Sequence, residues 1–120
     1  MTDTKPEKKS KLLDSCVANA QQLNSLIDYS ADAVVSKTIL DKSAGTITLF
    51  AFDKGQGLSE HTAPYDATVI ILDGSAQLTI GGKDLTVCAG RITIMPANVP
   101  HSVFAHERFK MLLIMIRSGN

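Results

Sequence analysis

The sequence has only two cysteines, no net charge and no long apolar run, and each of these features argues against a class of protein. Twelve basic side chains are balanced by twelve acidic ones, so no global field attracts nucleic acid or an anionic membrane. Cys16 and Cys88 share no metal-site spacing, which predicts free buried thiols. The longest apolar run, residues 111–116, is too short to span a bilayer. We therefore expect a cytoplasmic protein with neither a nucleic-acid nor a membrane partner.

The first thirty residues differ in pattern from the rest of the chain. Residues 1–10 are polar, with positive charge clustered in KPEKKSKL (5–12), and are typical of a solvated, disordered terminus. From Lys11 to Asp28, apolar residues recur at spacings of three and four, which favours an amphipathic helix but leaves a swapped strand open. We assign residues 1–30 to an N-terminal extension, partly disordered or helical, and residues 31–120 to one compact domain.

The part of the chain after Tyr29 is built from short runs of β type. Many alternate polar with apolar residues, and turn signals such as DG, GG and PANVP divide them. Seven of the runs occupy residues 33–40, 45–52, 76–80, 84–87, 91–95, 101–105 and 109–116. Closely spaced short strands with little helix between them pair antiparallel, so the pattern predicts an all-β sandwich or barrel.

Two runs are apolar on successive residues and do not alternate. They are TVIIL (68–72) and MLLIMI (111–116). Both faces of such strands must be shielded from water. One face lines the interior of the domain, and the other must pack against a second sheet or a second subunit. In so small a chain, a second copy is a natural cover, and we expect a homodimer.

A histidine, His61, stands just before the first of these two runs. If the strand is continuous, stepping by two places Ala63, Tyr65 and Ala67 on the same face as His61. Small residues beside an imidazole leave room inside a barrel. The pattern therefore predicts a pocket lined by these four residues.

Two segments resemble the motifs of the cupin family. Gly55, His61 and Gly74 fall at the matching places of the first motif, and the stretch GRITIMPANVPHSVFA (90–105) resembles the second, with Gly90, Pro96 and His101 in register. The resemblance covers roughly residues 45–116 and is greatest to small stand-alone bacterial cupins without an established activity. It implies a small antiparallel β-barrel, or double-sheet jelly roll, preceded by the short N-terminal extension.

Cupins typically bind a divalent metal through three histidines and a glutamate, and the resemblance implies that only half of that set is present here. His61 and His101 keep two ligand positions, whereas Ala63 and Ala67 stand at the other two. Robust transition-metal sites use three or more protein ligands. The sequence therefore leaves open whether a metal is bound, and whether it is zinc, iron, nickel or manganese.

Other side chains near the motifs could complete a metal site. Tyr65 is an even number of residues from His61, so the two share one face of a continuous strand. Glu60 and Asp66 are an odd number of residues from His61 and lie on the opposite face, unless the chain bends at Pro64. His106 lies in a polar stretch, AHERF, and is predicted to be a solvated rim histidine.

Three functions remain compatible with the sequence. The first is a ligand-binding or sensing cupin that holds a small organic molecule between His61, His101 and pocket walls that include Tyr65, Ala63 and Ala67. The second is a metal-dependent enzyme of oxygenase or isomerase type with a depleted metal site. The third is a structural or interaction protein with a vestigial pocket. Neither the ligand nor any catalytic activity follows from the residues alone.

Overall fold

The computed structural model describes residues 11–117 and folds most of them into two antiparallel sheets. Helix α1 spans Lys11–Cys16 and a 3-10 helix spans Leu23–Leu26. Nine strands follow: β1 Val34–Lys42, β2 Gly45–Phe52, β3 Gly57–His61, β4 Asp66–Asp73, β5 Ser75–Ile80, β6 Lys83–Cys88, β7 Ile92–Met95, β8 His101–Phe104 and β9 Phe109–Ile116. One sheet has the order β1-β2-β9-β4-β7 and the other β3-β8-β5-β6.

The prediction of a small antiparallel all-β domain is confirmed, with one strand more than the patterns showed. The seven runs and TVIIL coincide with eight of the strands to within two residues at each end, whereas β3, Gly57–His61, is an additional strand. Both cysteines are free, but Cys88 is exposed, so the prediction of a buried thiol is wrong there. Among residues 11–117, no helix is long and apolar enough to cross a membrane.

The main core lies between the two sheets and consists of the inward-facing residues of their strands. Along β4 and β5, every second side chain is buried, which is the pattern of a sheet with one face on a core. Phe52 and Phe109 are fully buried and stack with ring centroids 4.6 Å apart. Alternate residues of a strand point to opposite faces of the sheet. The alternating apolar residues of the sequence therefore predict correctly which side chains enter the core.

The N-terminal extension does not form the helix expected over residues 11–28. Helix α1 ends at Cys16, where the side-chain amides of Asn19 and Gln21 donate to the carbonyl of Ser15 at 3.2 and 2.7 Å. Amide side chains of this kind compete with helical N–H groups for backbone carbonyls. Residues 11–33, called the N-terminal strap below, instead cross the outer face of the five-stranded sheet. Residues 1–10 lie outside the described part of the chain.

Two contact regions fix the strap to that sheet. Ile27 is fully buried against Leu49 and Ala51 in a second apolar cluster. Tyr29 donates a hydrogen bond from Oη to Asp73 Oδ2 at 2.6 Å, and the guanidinium of Arg108 lies 4.4 Å from its ring centroid. Burial, and then the bond to Asp73, raise the pKa of the Tyr29 phenol above its ordinary range.

Candidate functional site

The two motif histidines lie directly opposite each other at one end of the β3–β8 pair. His61 is the last residue of β3 and His101 the first of β8. Their Nε2 atoms are 3.2 Å apart and their rings are inclined at 70°. His101 is only 5% exposed, whereas His61 is open to solvent. The pair therefore connects the barrel interior with its mouth.

A β-bulge in β3 determines that a histidine occupies this position. Leu58 pairs with Val103 and His61 with His101, so two residues of β3, Ser59 and Glu60, face the single residue between those partners on β8. If every residue of β3 were paired in a regular ladder, Glu60 would lie opposite His101. Bulges re-aim side chains in this way, and they commonly occur beside functional sites.

The loops that carry the two motifs are fixed to each other beside the pair. The N–H of Asn98 donates to the carbonyl of Ala63 at 2.7 Å, and the N–H of Ala97 donates to Asp66 Oδ1 at 2.9 Å. Asn98 has φ 64°, a region that favours glycine and that asparagine tolerates. The β3–β4 and β7–β8 loops thus form one end of the barrel together.

The histidine pair has one hydrogen too few for its contacts. Nδ1 of His61 lies 2.8 Å from the carbonyl oxygen of Ser59, and Nδ1 of His101 lies 3.1 Å from that of Val99. Together with the Nε2–Nε2 contact, these make three contacts, and each of them needs one hydrogen. Two neutral imidazoles carry only two N–H groups. A proton, a donor from a ligand or a metal ion between the Nε2 atoms would satisfy all three contacts.

The donor set fits a metal ion in part. Ring nitrogens that bind metals usually have the other ring N–H bonded to a carbonyl or carboxylate, as both histidines do here. Two nitrogens bound to one ion at about 2.0–2.1 Å lie roughly 3 Å apart, which agrees with the observed 3.2 Å. However, no group of three or more His, Cys, Asp or Glu residues suited to a metal occurs among residues 11–117. The protein supplies two ligands.

The proposed third ligands are engaged elsewhere or solvated. The carboxylate of Asp66 accepts the N–H of Ala97, and Glu60 is exposed in the bulge. His106 is exposed, as predicted, and its ring lies edge-on to Phe104 with centroids 4.8 Å apart. These side chains therefore do not extend the pair in this structure.

The prediction that Ala63, Tyr65 and Ala67 line a pocket on the same strand face as His61 needs a correction. The chain leaves the sheet after His61, and β3 and β4 belong to different sheets, so the assumption of one continuous strand is wrong. Ala67 is buried in the main core through the alternation of β4 itself, and Ala63 is half-buried in the loop. Tyr65 is half-buried, with the Arg117 guanidinium 5.7 Å from its ring centroid.

Features that sequence reasoning missed include the bulge and the carbonyls of Ser59 and Val99. A bulge depends on the register with the partner strand, and neither Ser59 nor Glu60 is a residue type from which a bulge could be predicted. Each of the two carbonyls belongs to the residue two positions before a motif histidine. That spacing could have suggested them.

Comparison with known proteins identifies this combination of fold and motifs. Residues 48–117 match the family model described as a cupin domain. A conserved protein of unknown function from Streptococcus pyogenes is 35% identical, with 86% of this chain and 90% of that chain covered and a TM-score of 0.82. A cupin superfamily protein from Desulfitobacterium hafniense is 29% identical, with 80% and 88% covered and a TM-score of 0.77.

A cupin 2 conserved barrel domain protein from Leptotrichia buccalis is 38% identical over 78% of this chain, with a TM-score of 0.76. The matched part is 46% of that protein, so this chain spans about half of its length. The comparison with curated proteins gave no significant match.

Proposed function

The chain belongs to the cupin family, and on that premise we propose that its barrel binds a small organic ligand at the His61–His101 pair, directly or through a weakly held divalent metal ion. The observation that carries this proposal is the count of hydrogens at the pair. Three contacts share two N–H groups, so a ligand donor or a metal ion at the two Nε2 atoms would satisfy all three.

The surroundings of the pair suit a small-molecule site. Leu58 and Ile80 are half-buried beside the core, and Ile80 lies directly opposite His101 in the sheet. Ala67 contributes only a methyl group at the position where cupins carry a bulkier acid. Few polar groups among apolar walls are typical of ligand pockets. The exposed side of His61 gives a ligand access.

A metal ion, if bound, would be held by the two Nε2 atoms. The carbonyls of Ser59 and Val99 would fix the orientation of the rings by accepting the Nδ1–H groups. Zinc, iron, nickel or manganese would supply a Lewis acid with several coordination positions left for water or the organic ligand. An oxygenase or isomerase role would rest on the same positions, and we place binding first because the protein provides only two ligands.

Zinc titration of protein purified without a histidine tag and stripped of metal tests the proposal. We expect one zinc per chain in the wild type, and an affinity at least about tenfold lower in His61→Ala. His61 is exposed, so this variant should keep the fold. His106→Ala is the matched control, because it removes an imidazole that does not contact the pair, and it should bind like the wild type.

The organic ligand is sought separately, by mass spectrometry of small molecules released from the untreated protein. A ligand lost in His61→Ala supports direct binding. Equal zinc affinity in the wild type and His61→Ala, together with no released ligand, would contradict the proposal and leave the pocket vestigial.

A further inference from the structure

We infer that the ligand of the His61–His101 pair is a small hydroxycarboxylate, whose carboxylate is bound by Thr46 and Arg117 on the opposite wall of the barrel. The hydroxyl group of the ligand supplies the hydrogen that the three contacts of the pair lack. This inference rests on the function proposed for the pair, to which it adds a class of ligand and two binding residues.

Thr46 faces the barrel interior near the start of β2. Phe52, an even number of residues further along the strand, belongs to the main core, whereas Ala51 packs beneath the strap. Since side chains alternate between the two faces of a sheet, Thr46 lies on the core side with Phe52. It pairs with Met115, which in turn pairs with Ala67 at the start of β4. Thr46 therefore lies at the end of the barrel where the β3–β4 loop enters β4.

The hydroxyl group of Thr46 is buried without a partner. Among residues 11–117, its Oγ1 atom is the single buried side-chain oxygen or nitrogen that makes no hydrogen bond. An unpaired buried hydroxyl costs free energy, and most such groups in proteins are paired. The unpaired Oγ1 of Thr46 is therefore suited to a hydrogen bond with a group from outside the chain.

The strand order places Thr46 across the core from the histidine pair. Strand β9 contacts β5 and β4 contacts β6 across the core. Because β2 lies beside β9 and β8 lies beside β5 in their sheets, β2 lies over β8, the strand of His101. Packed sheets are about 10 Å apart, and the side chains of Thr46 and His101 occupy part of that distance. A molecule of a few non-hydrogen atoms spans the rest.

Arg117 adds a positive charge to the same wall. Its N–H donates to the carbonyl of Ala44 at 2.9 Å, which extends the pairing of β2 with β9 by one residue. Arg117 is two residues beyond Met115 and shares its inward face. It is the diagonal neighbour of Thr46, at about 7–8 Å. One carboxylate can therefore reach both residues.

The guanidinium of Arg117 is held in place and keeps one edge free. Its Nη1 donates to the carbonyls of Lys42 and Ser43 at 2.6 and 3.3 Å, and its Cζ lies 5.7 Å from the ring centroid of Tyr65. Within residues 11–117, no acceptor binds Nε or Nη2 and no carboxylate pairs with this side chain. Two N–H groups on one planar edge match the two oxygens of a carboxylate.

A hydroxycarboxylate is the simplest ligand that completes these groups together. Its O–H donates at the Nε2 atoms of the pair, while its carboxylate accepts from Thr46 Oγ1 and from the free edge of Arg117. A neutral ligand would leave the guanidinium edge unpaired, and an acid without a hydroxyl group would leave the pair one hydrogen short. Ala67 and Met115, between the polar groups, offer apolar contact to the carbon atoms.

NMR titration of the metal-free full chain with lactate, propionate and lactamide tests the inference. We expect lactate to bind with a Kd of about 1 mM or lower, as a ligand of its size can. Propionate lacks the hydroxyl group and lactamide lacks the charge, so each should bind at least about tenfold more weakly, which is the loss of about one charge-assisted hydrogen bond.

Two variants separate the roles of the binding residues. Thr46→Val should weaken lactate binding at least about tenfold and raise the Tm of the ligand-free protein, because it removes an unpaired buried hydroxyl. Arg117→Gln should weaken lactate binding by a similar factor but leave lactamide binding unchanged. If it does not fold, Arg117→Lys keeps the charge, lacks the planar edge and should also weaken lactate binding. Thr38→Val and Arg91→Gln, at exposed sites away from the pair, are the matched controls and should bind like the wild type.

Three outcomes would overturn the inference. Lactate binding that is lost in His61→Ala but unchanged in both variants would do so and leave the proposed function standing. Absence of lactate binding at about 10 mM, well above the expected Kd, would also do so, while the zinc titration and the released ligand decide the proposed function separately. A lowered Tm in Thr46→Val would show that its hydroxyl already has a partner within the protein.

Discussion

Replacing His101 by leucine should stabilise the protein while removing the proposed binding site. His101 is 95% buried, since only 5% of it is exposed. The variant loses a hydrogen bond from Nδ1 to the carbonyl of Val99, worth about 1 kcal/mol. It also removes the contact between the two Nε2 atoms, which lacks a hydrogen whenever both imidazoles keep their carbonyl bonds.

The magnitude follows from comparing these contributions. A buried acceptor without a partner costs about 1–3 kcal/mol, and the isobutyl group adds apolar burial next to Ile80. Val99 is only half-buried, so water can replace the lost donor at its carbonyl. The free energy of unfolding should therefore rise by roughly 1 kcal/mol, or about 4 °C in Tm for a chain of this size.

Urea denaturation in the presence of a chelator is the appropriate assay, because no metal ion then contributes to stability. His106→Leu, at an exposed site, serves as the control and should change stability by less than about 0.5 kcal/mol. A loss of more than about 1 kcal/mol in His101→Leu would refute the reasoning, since it would mean that the Nε2 contact is a strong, fully formed hydrogen bond.

Two further predictions concern the strap and the missing ligands. Since the pKa of Tyr29 is raised in the folded state, the unfolded chain loses its phenolic proton first, and stability should fall as pH rises above about 10. Tyr29→Phe should flatten that decline in denaturation measured between about pH 9 and 11, and an unchanged slope would count against it. Ala63→His with Ala67→Glu should raise zinc affinity at least about tenfold, or 1.4 kcal/mol. Equal affinity in calorimetry would show that these positions do not face the pair.

Much of the fold was predictable because alternation and turn residues are local properties. The strands around residues 45–52 and 109–116 needed only the sequence, and the resemblance to cupins, now confirmed, located both histidines. The strap was not predictable in this way. Spacing of apolar residues predicted a helix, but the amides of Asn19 and Gln21 bind the Ser15 carbonyl. Ile27 packs in a cluster with residues of β2, a contact that spacing alone does not show.

The candidate site was less predictable than the fold. Parity from His61 gave the wrong path for the chain, because it assumed that β3 continues into β4. The extra residue in the bulge moves the β3 side chains that follow it to the opposite face of the sheet. Only the pairing with β8 shows where this change occurs. The expectations of a ligand, a metal and a dimer remain predictions.

In genetic terms, we expect the bulge to let β3 lose one codon without a change in the pairing of its two ends. In the present register, Leu58 lies opposite Val103 and His61 opposite His101, with Ser59 and Glu60 between them. Deletion of Ser59 alone would leave one outward residue between the two pairs, which is the ordinary spacing of a ladder. The histidine would still enter the barrel. Alignments that count residues along this strand without a gap would instead assign Glu60 to the site.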